Sequence, residues 1–336
     1  MKKLSPRVAV LRMFLFVILL TGYAAPVAAD DPPPAAPITP RMLVQPGGLM
    51  GPAAAGFAWH PADALLAYVE QQDGESALVV YAAATGEQRT LLTAADAPAG
   101  VDLSAATWSP QGDRLLLAGD ELWLLDAATG ELQPIAAGAG AKTGVMFLPD
   151  GAHVSYVQGN DIYVTALADG ATQRLTSDGS ETVFNGILDW VYNEELATRS
   201  AQPAYAWSPD GAWLLYLRLD ESAVQQHPVT DYRPVPPAVS YTRYPTAGTT
   251  NPAPSLHLVA RNGDAAAQEI PLPAGAEYVL PFLAWTPDGA EAIFATLNRD
   301  HTVLDLQAWN PAMANVRPLL QETDAAWITE NAYAAP

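Results

Sequence analysis

"AWSPDGAWLLYLR" runs from Ala206 to Arg218. An aromatic residue ends one run, Ser208-Pro209-Asp210-Gly211 turns the chain, and an apolar run follows. Pro presets φ for a turn, Asp bonds to its own backbone, and Gly takes the left-handed position, so the stretch reads as a hairpin. The pattern recurs in "AWHPADALLAYV" (Ala58–Val69), "TWSPQGDRLLLAG" (Thr107–Gly119), "MFLPDGAHVSYV" (Met146–Val157) and "AWTPDGAEAIFAT" (Ala284–Thr296). The leading aromatics are Trp59, Trp108, Phe147, Trp207 and Trp285, at spacings of 49, 39, 60 and 78 residues.

A second hairpin follows several copies. "ALVVYAAATGEQRTLL" (Ala77–Leu92) and "ELWLLDAATGELQPI" (Glu121–Ile135) place Thr-Gly between apolar runs, and "DIYVTALADGATQRLT" (Asp161–Thr176) places Asp-Gly there. Two hairpins make a four-stranded unit of about 40–45 residues, the size of a propeller blade. A β-sandwich with regular turns is the other all-β solution, but five related copies at blade-like spacing favour an all-β propeller of four-stranded blades. The Trp residues are expected to pack between blades. Spacings of 60 and 78 exceed one blade and predict insertions, which on such folds lie where binding happens.

The chain has 336 residues, half of them apolar, and a net charge of -20. That balance argues against a phosphate-binding surface, which needs clustered Lys and Arg, so no nucleic-acid partner is expected. Only three lysines occur, Lys2, Lys3 and Lys142, and there is no cysteine, which removes disulfides and thiol chemistry. At the N-terminus, Lys2, Lys3, Arg7 and Arg12 precede "MFLFVILL" (Met13–Leu20) and then "PVAAD" (Pro26–Asp30). This basic, apolar, small-residue order predicts a signal peptide over 1–29, cleaved after Ala29, and hence export. The apolar part is short and interrupted by Gly22 and Pro26, against the ~20 residues a membrane span needs. Cleavage removes four basic residues and takes the charge from -20 to -24. Residues 30–50 are rich in Pro and Ala and are expected to be a linker. The partial propeller is then expected over 51–336.

Inside the first insertion lies "NGILDWVYNEEL" (Asn185–Leu196). Together with "AYAWSPDGAWLLYLRLDES" (Ala204–Ser222) and "RYPTAGTTNP" (Arg243–Pro252), it resembles the N-terminal β-propeller of the dipeptidyl peptidase IV family, serine exopeptidases of the prolyl oligopeptidase type. The resemblance implies an eight-bladed propeller over an α/β-hydrolase domain. It also implies that Glu194 and Glu195 hold the free amino terminus of a peptide substrate, supported by Asp189, Trp190 and Tyr192 on a short helical segment. The chemistry suits this: an ammonium offers three donors and one charge, and two carboxylates answer both. A fixed anchor then counts residues from the end of the substrate, which is positioning rather than bond-making. An acidic pair after aromatics is otherwise a solvated helix face.

The chain also departs from that family. No Gly-x-Ser-x-Gly elbow occurs, "GESAL" (Gly74–Leu78) being the nearest approach, and no βαβ pattern predicts a hydrolase sheet. His60, His153, His227, His257 and His301 are scattered, so no catalytic residue is assigned. "LLQETDAAWITENAYAAP" (Leu319–Pro336) resembles a mid-propeller stretch, so about five of eight blades are expected, as in a gene fragment that is inactive alone and lacks its hydrolase partner. An arc of that kind exposes blade faces and is expected to aggregate or form a homodimer. The arginine by which the family binds the substrate carbonyl has no counterpart in "LLLAGDELWLLD" (Leu115–Asp126), and Arg114 does not align with it. No metal-binding loop and no cofactor motif is found. Two other functions stand beside the peptidase one: an exported, non-catalytic propeller that acts as a binding scaffold, and a propeller enzyme such as a lactonase or glycosidase. The last needs converging acids or a metal, and the sequence shows neither.

Overall fold

The computed structural model describes residues 39–41, 53–135, 138, 140–196, 203–263 and 266–329. The chain divides into two compact units, residues 1–52 and 53–336. The expected signal peptide lies outside the described residues, as does the expected linker apart from 39–41.

The second unit is built of antiparallel blades in chain order. Blade 1 holds β1 (Ala55–Trp59), β2 (Leu65–Gln72), β3 (Glu75–Ala82) and β4 (Glu87–Thr93). Blade 2 holds β5 (Thr107–Trp108), β6 (Arg114–Ala118), β7 (Leu122–Asp126) and β8 (Leu132–Ile135). Blade 3 holds β9 (Thr143–Phe147), β10 (His153–Gln158), β11 (Asp161–Ala166) and β12 (Thr172–Arg174). Blade 4 holds β13 (Val183–Asn185), β14 (Tyr205–Trp207), β15 (Trp213–Asp220), β18 (Ala253–Ala260) and β19 (Gln268–Ile270). Blade 5 holds β20 (Ala276–Trp285), β21 (Ala292–Asn298), β22 (Val303–Asn310) and β23 (Asn315–Thr323). The fold is thus an incomplete β-propeller. Each of the five motif aromatics is the last residue of a strand that enters its blade's hairpin. At Gly211, φ is 65°, and its N–H bonds to the Ser208 carbonyl at 2.8 Å, which closes the turn.

The core is a set of seams between consecutive blades. Leu116, Leu122 and Leu124 of blade 2 meet Val154 and Tyr156 of blade 3. Strand β15 shows why the sequence alternates so little in polarity. Leu214 and Tyr216 pack into the seam with blade 3, while Leu215, Leu217 and Leu219 pack into the seam with blade 5. Both faces of a middle blade are buried, so its strands are apolar throughout. Each fully buried Leu contributes roughly 1.5–3 kcal/mol. The motif tryptophans tie the seams with their indole N–H groups. Trp108 donates to the Ala58 carbonyl at 3.1 Å, Trp207 to Ser155 Oγ at 2.9 Å, and Trp285 to the Ala206 carbonyl at 3.1 Å. Trp59, on blade 1, is the exception to the expected packing: it is 64 % exposed and Phe57 63 %.

Blade 4 carries both insertions. β13 and β14 pair with successive parts of β15, Asn185 opposite Arg218 and Tyr205 opposite Tyr216. They are one strand, cut open at Gly186 and resumed at Tyr205. Gly186 N–H bonds to the Leu217 carbonyl, Ala204 N–H to the Gly186 carbonyl, and Leu217 N–H to the Ala204 carbonyl, each at 2.9 Å. These three bonds pinch the ends of the inserted segment together. Gly186 is required twice over: its φ is 72°, and a Cβ there would sit 2.9 Å from Ile162 Cδ1 and 3.0 Å from Tyr205 Cδ1. The second insertion is a separate hairpin, β16 (Gln226–Asp231) with β17 (Ala238–Arg243).

Candidate functional site

The segment released at Gly186 is fastened before it turns. Asn185 Nδ2 donates to the Asn160 carbonyl (3.2 Å), Asp161 Oδ1 (3.2 Å) and Asp178 Oδ1 (3.0 Å), all supplied from blade 3 or the loop after it. Arg218 Nε holds Asp178 from the other side at 2.8 Å. Then Asp189 starts a helical turn. Its Oδ1 accepts the Tyr192 N–H at 2.9 Å and its carbonyl accepts the Asn193 N–H at 3.0 Å, the work of a capping carboxylate. The turn itself, Tyr192–Leu196, is π-helical, wider than the ordinary helical segment expected.

Burial decides which way this turn faces. Val191, Tyr192 and Leu196 are 5 %, 0 % and 2 % exposed. The Tyr192 hydroxyl accepts the Val279 N–H of β20 at 3.2 Å, and its ring meets Tyr278 edge-on with centroids 6.2 Å apart. With Tyr192 and Leu196 packed into the core shared with blade 5, Glu194 is left half-buried and Glu195 exposed. Glu195 lines a cavity of about 530 Å³ together with Trp190, Tyr244, Asn251, Tyr278, Arg299, His301 and Trp327. Asp189 and Tyr192 are framework and do not line it; Trp190 does, packed on Tyr244 at 5.4 Å. The five residues singled out in the sequence therefore belong to one short segment with divided roles.

Several contributors carried no sequence signal. Arg299, just after the end of β21, donates through Nη1 to Glu277 at 2.7 Å and through Nη2 to the Thr249 carbonyl at 2.7 Å. Asn251 Nδ2 donates to the same Glu277 oxygen at 2.9 Å and to the Tyr278 hydroxyl at 2.7 Å. Asn251 and Tyr244 lie in "RYPTAGTTNP", a stretch with a visible resemblance but no assigned residue. Arg114 Nε donates to Asp113 at 3.2 Å, and Arg114 does not line the cavity beside Glu195. A second cavity, of about 730 Å³, shares Asn251 and Arg299 as lining but neither glutamate.

Two buried acids stand behind the turn. Asp189 is 4 % exposed and its Oδ2 has no hydrogen-bond partner, so burial pushes its pKa up to about 6. Glu221, 8 % exposed, is pushed up to about 7, first by burial and then by the charge of Asp189, with Arg243 acting the other way. Arg243 Nη1 also clasps the Val224 carbonyl at 2.7 Å. Among the described residues no three His, Asp or Glu side chains gather into a metal-binding group.

Comparison with known proteins gives one consistent picture. The family described as the dipeptidyl peptidase IV (DPP IV) N-terminal region matches residues 117–335. A probable dipeptidyl peptidase 4 of Trichophyton verrucosum is 30 % identical over 312 residues, covering 85 % of this chain and 40 % of the relative. The dipeptidyl peptidase 4 of Trichophyton equinum is also 30 % identical, with 85 % and 39 % covered. Among solved structures, Porphyromonas gingivalis dipeptidyl peptidase 4 matches with a TM-score of 0.72 at 24 % identity, over 88 % of this chain and 44 % of that one. At that identity the structural match speaks for the fold. The chain spans about two fifths of the length of these curated relatives.

Proposed function

Because the chain belongs to the dipeptidyl peptidase IV N-terminal region family, we propose that Glu194 and Glu195 hold the free amino terminus of a peptide and position it for a partner hydrolase domain. The observation that carries this is the cut strand of blade 4. Its two ends are pinned at Leu217, and the released turn has its apolar side chains anchored on blade 5, which leaves Glu195 at the lip of a cavity. A carboxylate pair so held accepts an ammonium without first having to be ordered. Bond cleavage falls to the hydrolase domain, since these 336 residues contain no nucleophile elbow. Export through residues 1–29 and self-association are parts of the same proposal. Support for the first is the order of basic, apolar and small residues; support for the second is the exposed apolar hairpin β16–β17.

Calorimetric titration of the 336-residue chain with a free-amine dipeptide and its N-acetylated twin tests the anchor. A charge-assisted hydrogen bond contributes about 1.5–3 kcal/mol, so acetylation, Glu194→Gln or Glu195→Gln should each weaken binding roughly tenfold to a hundredfold. Equal affinity for the two ligands refutes the anchor. The same preparation should release no dipeptide from a chromogenic dipeptide amide, and turnover by the pure chain would refute the division of labour.

A further inference from the structure

Two buried carboxyls stand behind the glutamate turn and take no part in the proposed anchor. Asp189, 4 % exposed, accepts the Tyr192 N–H on one oxygen and leaves Oδ2 without a partner. Glu221, 8 % exposed, follows the last residue of β15, and its side chain has no hydrogen bond or ion pair among the described residues. A buried carboxyl without a partner is tolerated while it keeps its proton and becomes costly once it ionises.

Backbone bonds fix where the second acid sits. The Glu221 N–H bonds to the Thr182 carbonyl and the Glu221 carbonyl accepts the Val224 N–H, each at 2.9 Å. Arg243, the last residue of β17, closes the other side: its Nη1 donates to the Val224 carbonyl at 2.7 Å and to the Ser222 carbonyl at 3.3 Å. The guanidinium is thus held on carbonyls and acts on Glu221 only through its charge. Other titratable neighbours lie close by. Tyr192 sits on the turn itself and is faced by Tyr278 and Glu277 of blade 5. Asp220, beside Glu221, meets Arg218 at 3.8 Å. His227, at the root of the hairpin β16–β17, stacks on Tyr244 at 4.2 Å, and Tyr244 packs on Trp190, the residue after Asp189. Of all these groups, Arg243 opposes the proton on Glu221 and ionised Asp189 favours it.

We propose that Glu221 is a positioning residue for the peptide anchor, acting with Asp189 as a buried pair that holds the glutamate turn in place while uncharged and releases it when ionised. The proposal rests on Glu194 and Glu195 binding the peptide's ammonium, and it adds what keeps them in position. In the fold Asp189 ionises at about 6 and Glu221 at about 7, against about 3.9 and 4.3 in water. Interacting acids of this kind lose their protons as a pair. Opening the turn returns both carboxyls to water and so releases protons, which means that rising pH favours opening. Closing the turn on an ammonium takes protons up.

Calorimetric titration of the 336-residue chain with Gly-Ala and N-acetyl-Gly-Ala tests this between about pH 5.5 and about 7.5, where an α-amino group titrating near 7.7–8.0 is still mostly protonated. Corrected for the ligand's own titration, wild-type affinity for Gly-Ala should fall about fivefold or more across that range. Glu221→Gln keeps the size of the side chain and cannot ionise. It should bind as the wild type does at the acid end and recover most of the loss at the alkaline end. Arg243→Gln, which removes the opposing charge, should move the fall to higher pH. Titration in two buffers of different ionisation heat should show proton uptake on binding that Glu221→Gln reduces. Should Glu221→Gln prove unfolded by circular dichroism, Asp189→Asn, which keeps a capping oxygen, decides by the same profile. A profile that these variants leave unchanged, or a loss of affinity equal at every pH, overturns the positioning role; the anchor stands if acetylation remains costly. Equal affinity for Gly-Ala and its acetylated twin at every pH overturns the anchor and this inference with it, as does an absence of binding by both.

Discussion

At the residue scale, Asp189 does two things that pull against each other. One oxygen caps the glutamate turn, and the other is buried without a partner. Its pKa of about 6 in the fold lies above the about 3.9 of an unfolded Asp. The folded state therefore holds the proton more tightly, and the stability gained from it is complete below pH 4 and lost as pH rises through 6. A difference of that size between the folded and unfolded carboxyl corresponds to roughly 3 kcal/mol. Glu221, raised to about 7, adds a loss of the same sign at slightly higher pH. Asp189→Asn keeps a capping oxygen and removes the charge. Urea unfolding of the two proteins should show the variant gaining on the wild type between about pH 4 and 7, and parallel curves would refute the assignment. Nothing in "DWVYNEEL" announces this, because an Asp before a helical turn reads as a solvated cap until the packing around it is known.

At the element scale, the hairpin β16–β17 stands outside the blade that bears it. Val229, Tyr232, Val235, Val239 and Tyr241 on or between its strands are 50 %, 78 %, 97 %, 54 % and 67 % exposed. An apolar patch on a two-stranded sheet, which is marginal in isolation, gains by pairing with its own copy about a two-fold axis. Sedimentation of the pure chain should show a dimer that Tyr241→Glu together with Val235→Asp converts to monomer. An unchanged sedimentation coefficient would place self-association elsewhere. The Pro-rich run from Asp220 to Pro252 is readable as an insertion from its length alone. That it forms a paired hairpin is not, because Pro228 sits within β16, where a ladder donor is missing.

At the scale of the whole molecule, stability is distributed over four seams, each closed by side chains from two neighbouring blades. Blade order follows chain order, so each core joins blades that are consecutive in the chain, as in repeat architectures. The proposed export belongs to this scale too. N-terminal sequencing of the protein recovered outside the cytoplasm should begin at Asp30; a product that still carries Met1 would overturn cleavage after Ala29. Cleavage after Ala29 would leave a charge of -24 by the same count that gives -20 for the whole, which favours cationic ligands by long-range attraction, in keeping with the ammonium proposed as the bound group.

The sequence by itself determined the blades. The aromatic-x-Pro turns are local devices, and their Pro and Gly act through φ alone, so the strand ends at Trp59, Trp108, Phe147, Trp207 and Trp285 could be placed without any partner. It also singled out Glu194 and Glu195, through a resemblance spread over three stretches. Only the tertiary structure decided what surrounds them. Glu195 shares its cavity with residues from as far along the chain as Trp327, and no local rule couples positions that far apart. The π-helical turn depends on the side chains that blade 5 offers to Tyr192, and the strand cut at Gly186 on the close approach of Ile162 from blade 3. Local chemistry sets where a strand turns; the faces that meet when blades stack set what a turn displays.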